Sequence, residues 1–150
     1  MIIEIFDDIL KNYKGDSFVF CKDDDSLKDK CNAPGDKSCG VYIYTAIIDG
    51  REDIIYIGCS GHIENGILVG RKGGLKRRIY GKQEGVPRDK FYKDVMCHHN
   101  VPELKVYWYH IEEGDPEFVE YQLILRYLVT FQRFPKYNNK LEKKENKYFE

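Results

Sequence analysis

Gly40-Val41-Tyr42-Ile43-Tyr44-Thr45-Ala46-Ile47-Ile48, Asp49-Gly50-Arg51-Glu52-Asp53 and Ile54-Ile55-Tyr56-Ile57-Gly58 follow one another without a break, and their reading decides the fold. The first run is β-branched and aromatic, the second is polar and turns, and the third returns as a strand. Together they predict an antiparallel hairpin. Alternation along the first strand sends Tyr42 and Tyr44 to one face and Val41 and Ile43 to the other.

Upstream, Ile2, Ile5, Phe6, Ile9, Leu10 and Tyr13 fall at helical spacing and predict an amphipathic helix over 2–13. Residues 14–39 are polar, rich in Asp and Lys, and broken by Pro34-Gly35, which predicts loop with at most a short strand at Phe18-Val19-Phe20. Downstream, the glycine-rich stretch from Cys59 to Gly73 reads as loop. A basic helix is expected from Gly74, with Leu75 and Ile79 turned inward, and a second short helix from Arg88 to about Cys97. Leu104 to Ile111 predicts a third strand. Asp115-Pro116 is an N-cap followed by proline at the first helical position. The helix it opens is expected to reach Phe131 and to bury Tyr121, Ile124, Leu125 and Leu128. This order predicts an α+β domain with a small, mainly antiparallel three-stranded sheet flanked by helices. It divides the chain into an N-terminal helix and polar extension (1–39), a sheet-and-helix domain (40–141) and a charged tail (142–150) expected to fray.

With 150 residues the chain suits one domain, which buries roughly 70% of the surface its unfolded form exposes. The first residues lack the basic start and apolar run of a signal peptide. No window carries the roughly 18 apolar residues of a membrane span. The five cysteines, Cys21, Cys31, Cys39, Cys59 and Cys97, are odd in number and form no Cys-x-x-Cys pair. They read as reduced thiols of a cytoplasmic protein rather than as disulfides or a zinc site. The net charge of −1 argues against a general nucleic-acid coat. Its distribution is uneven: Arg71 to Lys93 holds nine bases against two acids, whereas the first forty residues hold nine acids against six bases. One positive region is expected of a protein whose face meets a polyanion. A solvated helix face accounts for the charge alone equally well.

Gly40-Val41-Tyr42 and Tyr56-Ile57-Gly58 resemble the two signatures of the GIY-YIG nucleases, and three further stretches match in order. Leu75-Lys76-Arg77-Arg78-Ile79 is similar to the family's arginine-bearing helix. Glu120-Tyr121-Gln122-Leu123-Ile124 is similar to the later helix whose glutamate binds the metal. Pro135-Lys136-Tyr137-Asn138 is similar to the terminal Pro-x-x-Asn. The resemblance covers about residues 40–139 and implies a metal-dependent DNA endonuclease.

Phosphodiester hydrolysis needs an activated water, charge stabilisation and help for the leaving oxygen. A hard cation, Mg²⁺ or Mn²⁺, can supply the last two from a single carboxylate ligand. The resemblance implies Tyr42 as proton acceptor or water-orienting group, Tyr56 beside it against the water or phosphate, Arg78 on the transition state, Glu120 on the metal and Asn138 as a positioning group. Arginine suits that role because its fork of donors matches phosphate. Arg77 competes with Arg78, and Glu117 with Glu120. Where the family often carries histidine, this chain has Lys82, so Lys82 or Lys72 is expected near the site.

Arg71, Lys72, Lys76 and Arg77 are the expected DNA contacts, and the long segment from Cys59 to Gly73, with His62 and Asn65, is expected to join them. Cys97-His98-His99 and Cys59 with His62 lack a full ligand set or triad. Residues 1–39 are the candidates for specificity or dimer contacts, since a homodimer suits duplex symmetry. The alternative is a nucleic-acid-binding module that kept the fold and lost the activity.

Overall fold

A computed structural model describes residues 1–138; the charged tail lies outside them. The hairpin forms as expected. β2 (Gly40–Ile48) and β3 (Arg51–Ser60) pair antiparallel, with Tyr42 opposite Gly58 and Tyr44 opposite Tyr56. Asp49 and Gly50 turn the chain with φ of 53° and 78°, the left-handed pair of a two-residue turn whose twist matches the strands. A bulge follows Tyr44: Thr45 pairs with Ile54, so Ile55 is the extra residue.

The sheet has four strands, not three. β1 (Lys14–Cys21) takes up the first eight residues of the segment read as loop, contains the short strand expected at Phe18-Val19-Phe20, and pairs antiparallel with β8 (Glu103–His110). The order is β1-β8-β2-β3, so the new strand extends the sheet on the side away from β3. Phe18 and Phe20 are its inward residues, and Lys14 to Asp16 are exposed. The expected N-terminal helix is also shorter: a 3-10 turn (Ile2–Phe6) runs into α1 (Asp7–Leu10). Three residues, Lys11 to Tyr13, separate α1 from β1.

The sheet separates two cores, as alternation along β2 requires. One face buries Tyr42, Tyr44, Ala46 and Ile55 with α2 (Leu27–Lys30), α3 (Gly74–Tyr80) and α4 (Arg88–His99). Leu75 and Ile79 both point inward there. The other face buries Val41, Ile43, Ile54 and Ile57 with the N-terminal turns and α5 (Pro116–Phe131). α5 starts as the sequence predicts, with the Asp115 carboxylate accepting from the Glu117 N–H at 3.0 Å and proline at the first position. Its buried stripe is Val119, Glu120, Leu123, Ile124 and Tyr127, with Tyr121 beside it. Leu125 is exposed and Leu128 half-buried, which corrects the expected phase.

Two small hairpins interrupt the segments read as loop. β4 (His62–Glu64) and β5 (Ile67–Val69) turn at Asn65-Gly66, and β6 (Lys82–Gln83) and β7 (Val86–Pro87) turn at Glu84-Gly85. Among the described residues no helix is long and apolar enough to cross a membrane.

Candidate active site

α3, β6 and the start of α4 surround a cleft of about 570 Å³, lined by Arg71, Lys72, Arg77, Arg78, Lys82 and Arg88 together with Ser60, Tyr80 and glycine and proline backbone. Among the described residues six cations and no carboxylate face it. Such a concave patch of one sign concentrates its field on an anion. Arg71, Lys72, Arg77, Arg78 and Lys82 are exposed, as phosphate contacts require. Lys76 is half-buried and is not among the lining residues.

The cleft ends on Arg88, which is 3% exposed. Its guanidinium stands 5.5 Å from the centre of the Tyr42 ring and 5.4 Å from that of Tyr56. Nε donates to Gln83 Oε1 at 3.3 Å, and Nη1 donates to the carbonyl of Arg78. Gln83 Oε1 also accepts from the Tyr92 hydroxyl at 2.7 Å, and the Tyr44 hydroxyl donates to the Ile79 carbonyl at 2.7 Å. The tyrosines thus form a layer between sheet and helices: Tyr42 and Tyr56 are 6.2 Å apart, and Tyr44 stacks on Tyr92 at 4.1 Å.

Tyr42 is fully buried, yet its hydroxyl has no hydrogen-bond partner among the described residues. A buried hydroxyl left unbonded costs roughly 1–3 kcal/mol, so it is a place where a further partner is expected. Its ring lies over Gly58, where a side chain would collide with Cζ and Oη. The glycine of the second signature therefore has a steric reason. Tyr56 is half-buried. Burial and the neighbouring Tyr42 push its hydroxyl up to about 12, against the opposing pull of Arg88 and Arg78. It is protonated at neutral pH and so is able to donate.

Asn138 docks on the sheet edge. Its Oδ1 accepts from the Ile57 N–H at 3.0 Å and its Nδ2 donates to the Ile57 carbonyl at 2.8 Å. The Tyr137 N–H joins the Ile55 carbonyl at 2.9 Å. These bonds cover the outer side of β3 between Tyr56 and Gly58, which suits a positioning role.

Glu120 lies on α5, against the opposite face of the sheet from α3, and is 2% exposed. Tyr127, whose hydroxyl donates to Asp53 at 2.5 Å, fixes α5 against β3. Glu120 is two helical turns, about 10 Å, nearer the N-terminus. It does not line the basic cleft, and neither does the half-buried Glu117. Among the described residues no three His, Cys, Asp or Glu side chains gather into a metal-sized group. Among the described residues there is thus no closed cage, and a cation held by Glu120 would take its remaining ligands from water. His62 faces Glu64 at 3.3 Å, and His99 faces the Tyr137 hydroxyl at 3.0 Å, whereas Cys97 and His98 are exposed.

Arg88 is the residue that sequence reasoning missed as a site member. It was visible only as one of nine bases, and nothing in its neighbours marked it as buried.

No family model matches the chain, and neither a curated protein nor a solved structure matches it.

Proposed function

We propose that the protein is a GIY-YIG-type endonuclease that hydrolyses phosphodiester bonds in DNA with a divalent metal ion. The observation that carries this reading is the cleft itself: among the described residues six cations and no acid line it, and it ends on an arginine that faces Tyr42 and Tyr56. Arg71, Lys72 and Arg77 would hold the backbone by charge. Arg78, exposed on the cleft wall, would set its guanidinium against the phosphoryl oxygens. Tyr56, a neutral donor, would orient the phosphate or the attacking water. The Tyr42 hydroxyl would hold and orient that water, gaining the bond it lacks among the described residues. Lys82 would add charge at the far rim. Asn138 would hold the β3 edge beneath Tyr56. Glu120 is the residue that would hold Mg²⁺ or Mn²⁺, which when bound would polarise the phosphate and stabilise the leaving oxygen.

A second reading draws on the same cleft. Among the described residues its walls carry no carboxylate, and Glu120 sits on the other side of the sheet. A module that binds nucleic acid without cutting it would have this surface.

Supercoiled plasmid incubated with Mg²⁺ or Mn²⁺ separates the two. Nicking that EDTA stops, and that Arg78→Ala and Glu120→Ala each reduce by about 10²-fold or more, supports the enzyme. Binding with no nicking by the parent protein supports the module. Either variant cutting at the parent rate removes that residue from the site.

A further inference from the structure

We propose that Arg88 is the positioning residue of this site: its buried guanidinium holds Tyr42, Tyr56 and the C-terminal end of α3 in one fixed arrangement. The reaction it serves rests on the nuclease reading; the arrangement itself does not.

A guanidinium offers five N–H donors in a rigid plane, and burying one requires that they be used. Here the hydrogen-bond partners are neutral and belong to different elements. Gln83 on β6 takes Nε, and the Arg78 carbonyl at the end of α3 takes Nη1. The last carbonyls of a helix have no partner within it and favour a cation. Arg88 caps one of them, and the Tyr44 hydroxyl caps the next, at Ile79. The Arg88 N–H bonds the Gly81 carbonyl at 2.8 Å, so backbone and side chain clamp the same turn. The guanidinium also meets the rings of Tyr42 and Tyr56 from 5.5 and 5.4 Å. One side chain therefore ties the residue proposed to meet the phosphoryl group to both proposed tyrosines. At 3% exposure it acts through them and does not track the DNA backbone.

The test compares Arg88→Met, Arg88→Lys and Gln83→Met with the parent protein. Ring-¹³C-labelled tyrosine reports the site by NMR, with Tyr42 and Tyr56 assigned by Phe substitution. A short DNA duplex without divalent metal gives the affinity and its salt slope, and plasmid with Mg²⁺ gives the cleavage rate. Arg88→Met should move the Tyr42 and Tyr56 signals, leave duplex affinity within about twofold and the salt slope unchanged, and lower cleavage about 10²-fold. Arg88→Lys should fall between Met and the parent in both signals and rate. Gln83→Met, which keeps the cation but removes its Nε acceptor, should move the same two signals less.

Unmoved tyrosine signals in Arg88→Met overturn the inference, as does cleavage at the parent rate. A salt slope reduced by about one makes Arg88 a phosphate contact instead. Should Arg88→Met fail to fold, Arg88→Lys and Gln83→Met decide by the same signals. Should the parent cut no DNA, the nuclease reading fails, and the tyrosine signals alone still decide whether Arg88 holds the cluster.

Discussion

Gly58→Ala adds one methyl group, and the structure specifies where it goes. Gly58 pairs with Tyr42 across β2 and β3, and the tyrosine ring lies over its Cα. A Cβ there would approach Cζ and Oη of Tyr42 closer than 3.0 Å, a separation that carbon contacts do not reach. Restoring ordinary van der Waals contact requires the ring to move by about 1 Å. Tyr42 is fully buried, with Tyr44 and Tyr56 each 6.2 Å away and Arg88 over its face at 5.5 Å, so that movement displaces the cluster. Overpacking of this kind costs about 1–3 kcal/mol. Alanine's better backbone entropy returns less than about 1 kcal/mol of it. A misplacement of about 1 Å in a reacting group costs about 10²-fold in rate. The assays are urea denaturation and plasmid nicking, the former repeated in a Tyr42→Ala background, where the methyl group meets no ring. The stability cost of Gly58→Ala should then disappear. An unchanged urea midpoint and rate in the single variant, or an undiminished cost in the Tyr42→Ala background, would refute the steric account of the glycine.

Asn138→Leu should free the edge of β3: two amide bonds to Ile57, each contributing about 1 kcal/mol net, are lost. Hydrogen exchange at the Ile57 amide should accelerate, and unchanged protection would mean that something else covers this edge. Tyr56 adds an alkaline dependence. Its hydroxyl titrates at about 12 when folded and near 10 when unfolded, so the unfolded chain releases the proton first. The stabilisation is whole below pH 10 and is lost as pH rises from 10 to 12, by up to about 2–3 kcal/mol. Tyr56→Phe should flatten that part of the Tm-against-pH curve; parallel curves for the two proteins would show that another group is responsible.

The hairpin and its faces were legible because a β-branched and aromatic run with period two has one good solution: one set of alternate residues on each core. α5 was legible at its start, where Asp115 and Pro116 act locally, but not in its phase. Leu125 is apolar and still points outward, while Glu120 points inward, so hydrophobicity alone misplaced the stripe. The second half of β1 was legible as a short strand at Phe18-Val19-Phe20, whereas its first half, Lys14-Gly15-Asp16-Ser17, was hidden because it has the composition of a loop. It becomes a strand by pairing with β8, a partner almost ninety residues away, and Gly15 leaves room for the ring of Tyr109. The hairpin at Asn65-Gly66 carried a readable signal, an Asn-Gly pair between isoleucines, that the surrounding glycines obscured. The cationic wall of the site was legible as a charge run. Arg88 was not, since β6 and β7 fold it back beneath α3 and only that return buries it.

Residues 1–39 were expected to serve specificity or dimer contacts, but part of this segment has a nearer task. α3 has seven residues, too few to hold a helix by itself. The loop before β2 supports its first turn. The Ser38 hydroxyl accepts from the Leu75 N–H at 2.9 Å and donates to the Pro34 carbonyl at 2.9 Å. Pro34 in turn accepts from the Lys76 N–H, and the Lys37 N–H bonds the Arg71 carbonyl, both at 2.9 Å. Ser38 thus does from another segment what an N-cap does from within a helix. Ser38→Ala should lower stability by about 1 kcal/mol and speed exchange at the Leu75 amide. If the proposed site is right, cleavage should fall by more than the lost stability accounts for, because Arg77 and Arg78 ride on that helix. Leu75 exchange at the parent rate would mean that the loop does not hold α3. Faster exchange with unchanged cleavage would mean that the position of α3 does not matter to the reaction, and would count against Arg78 as the residue that meets the phosphate.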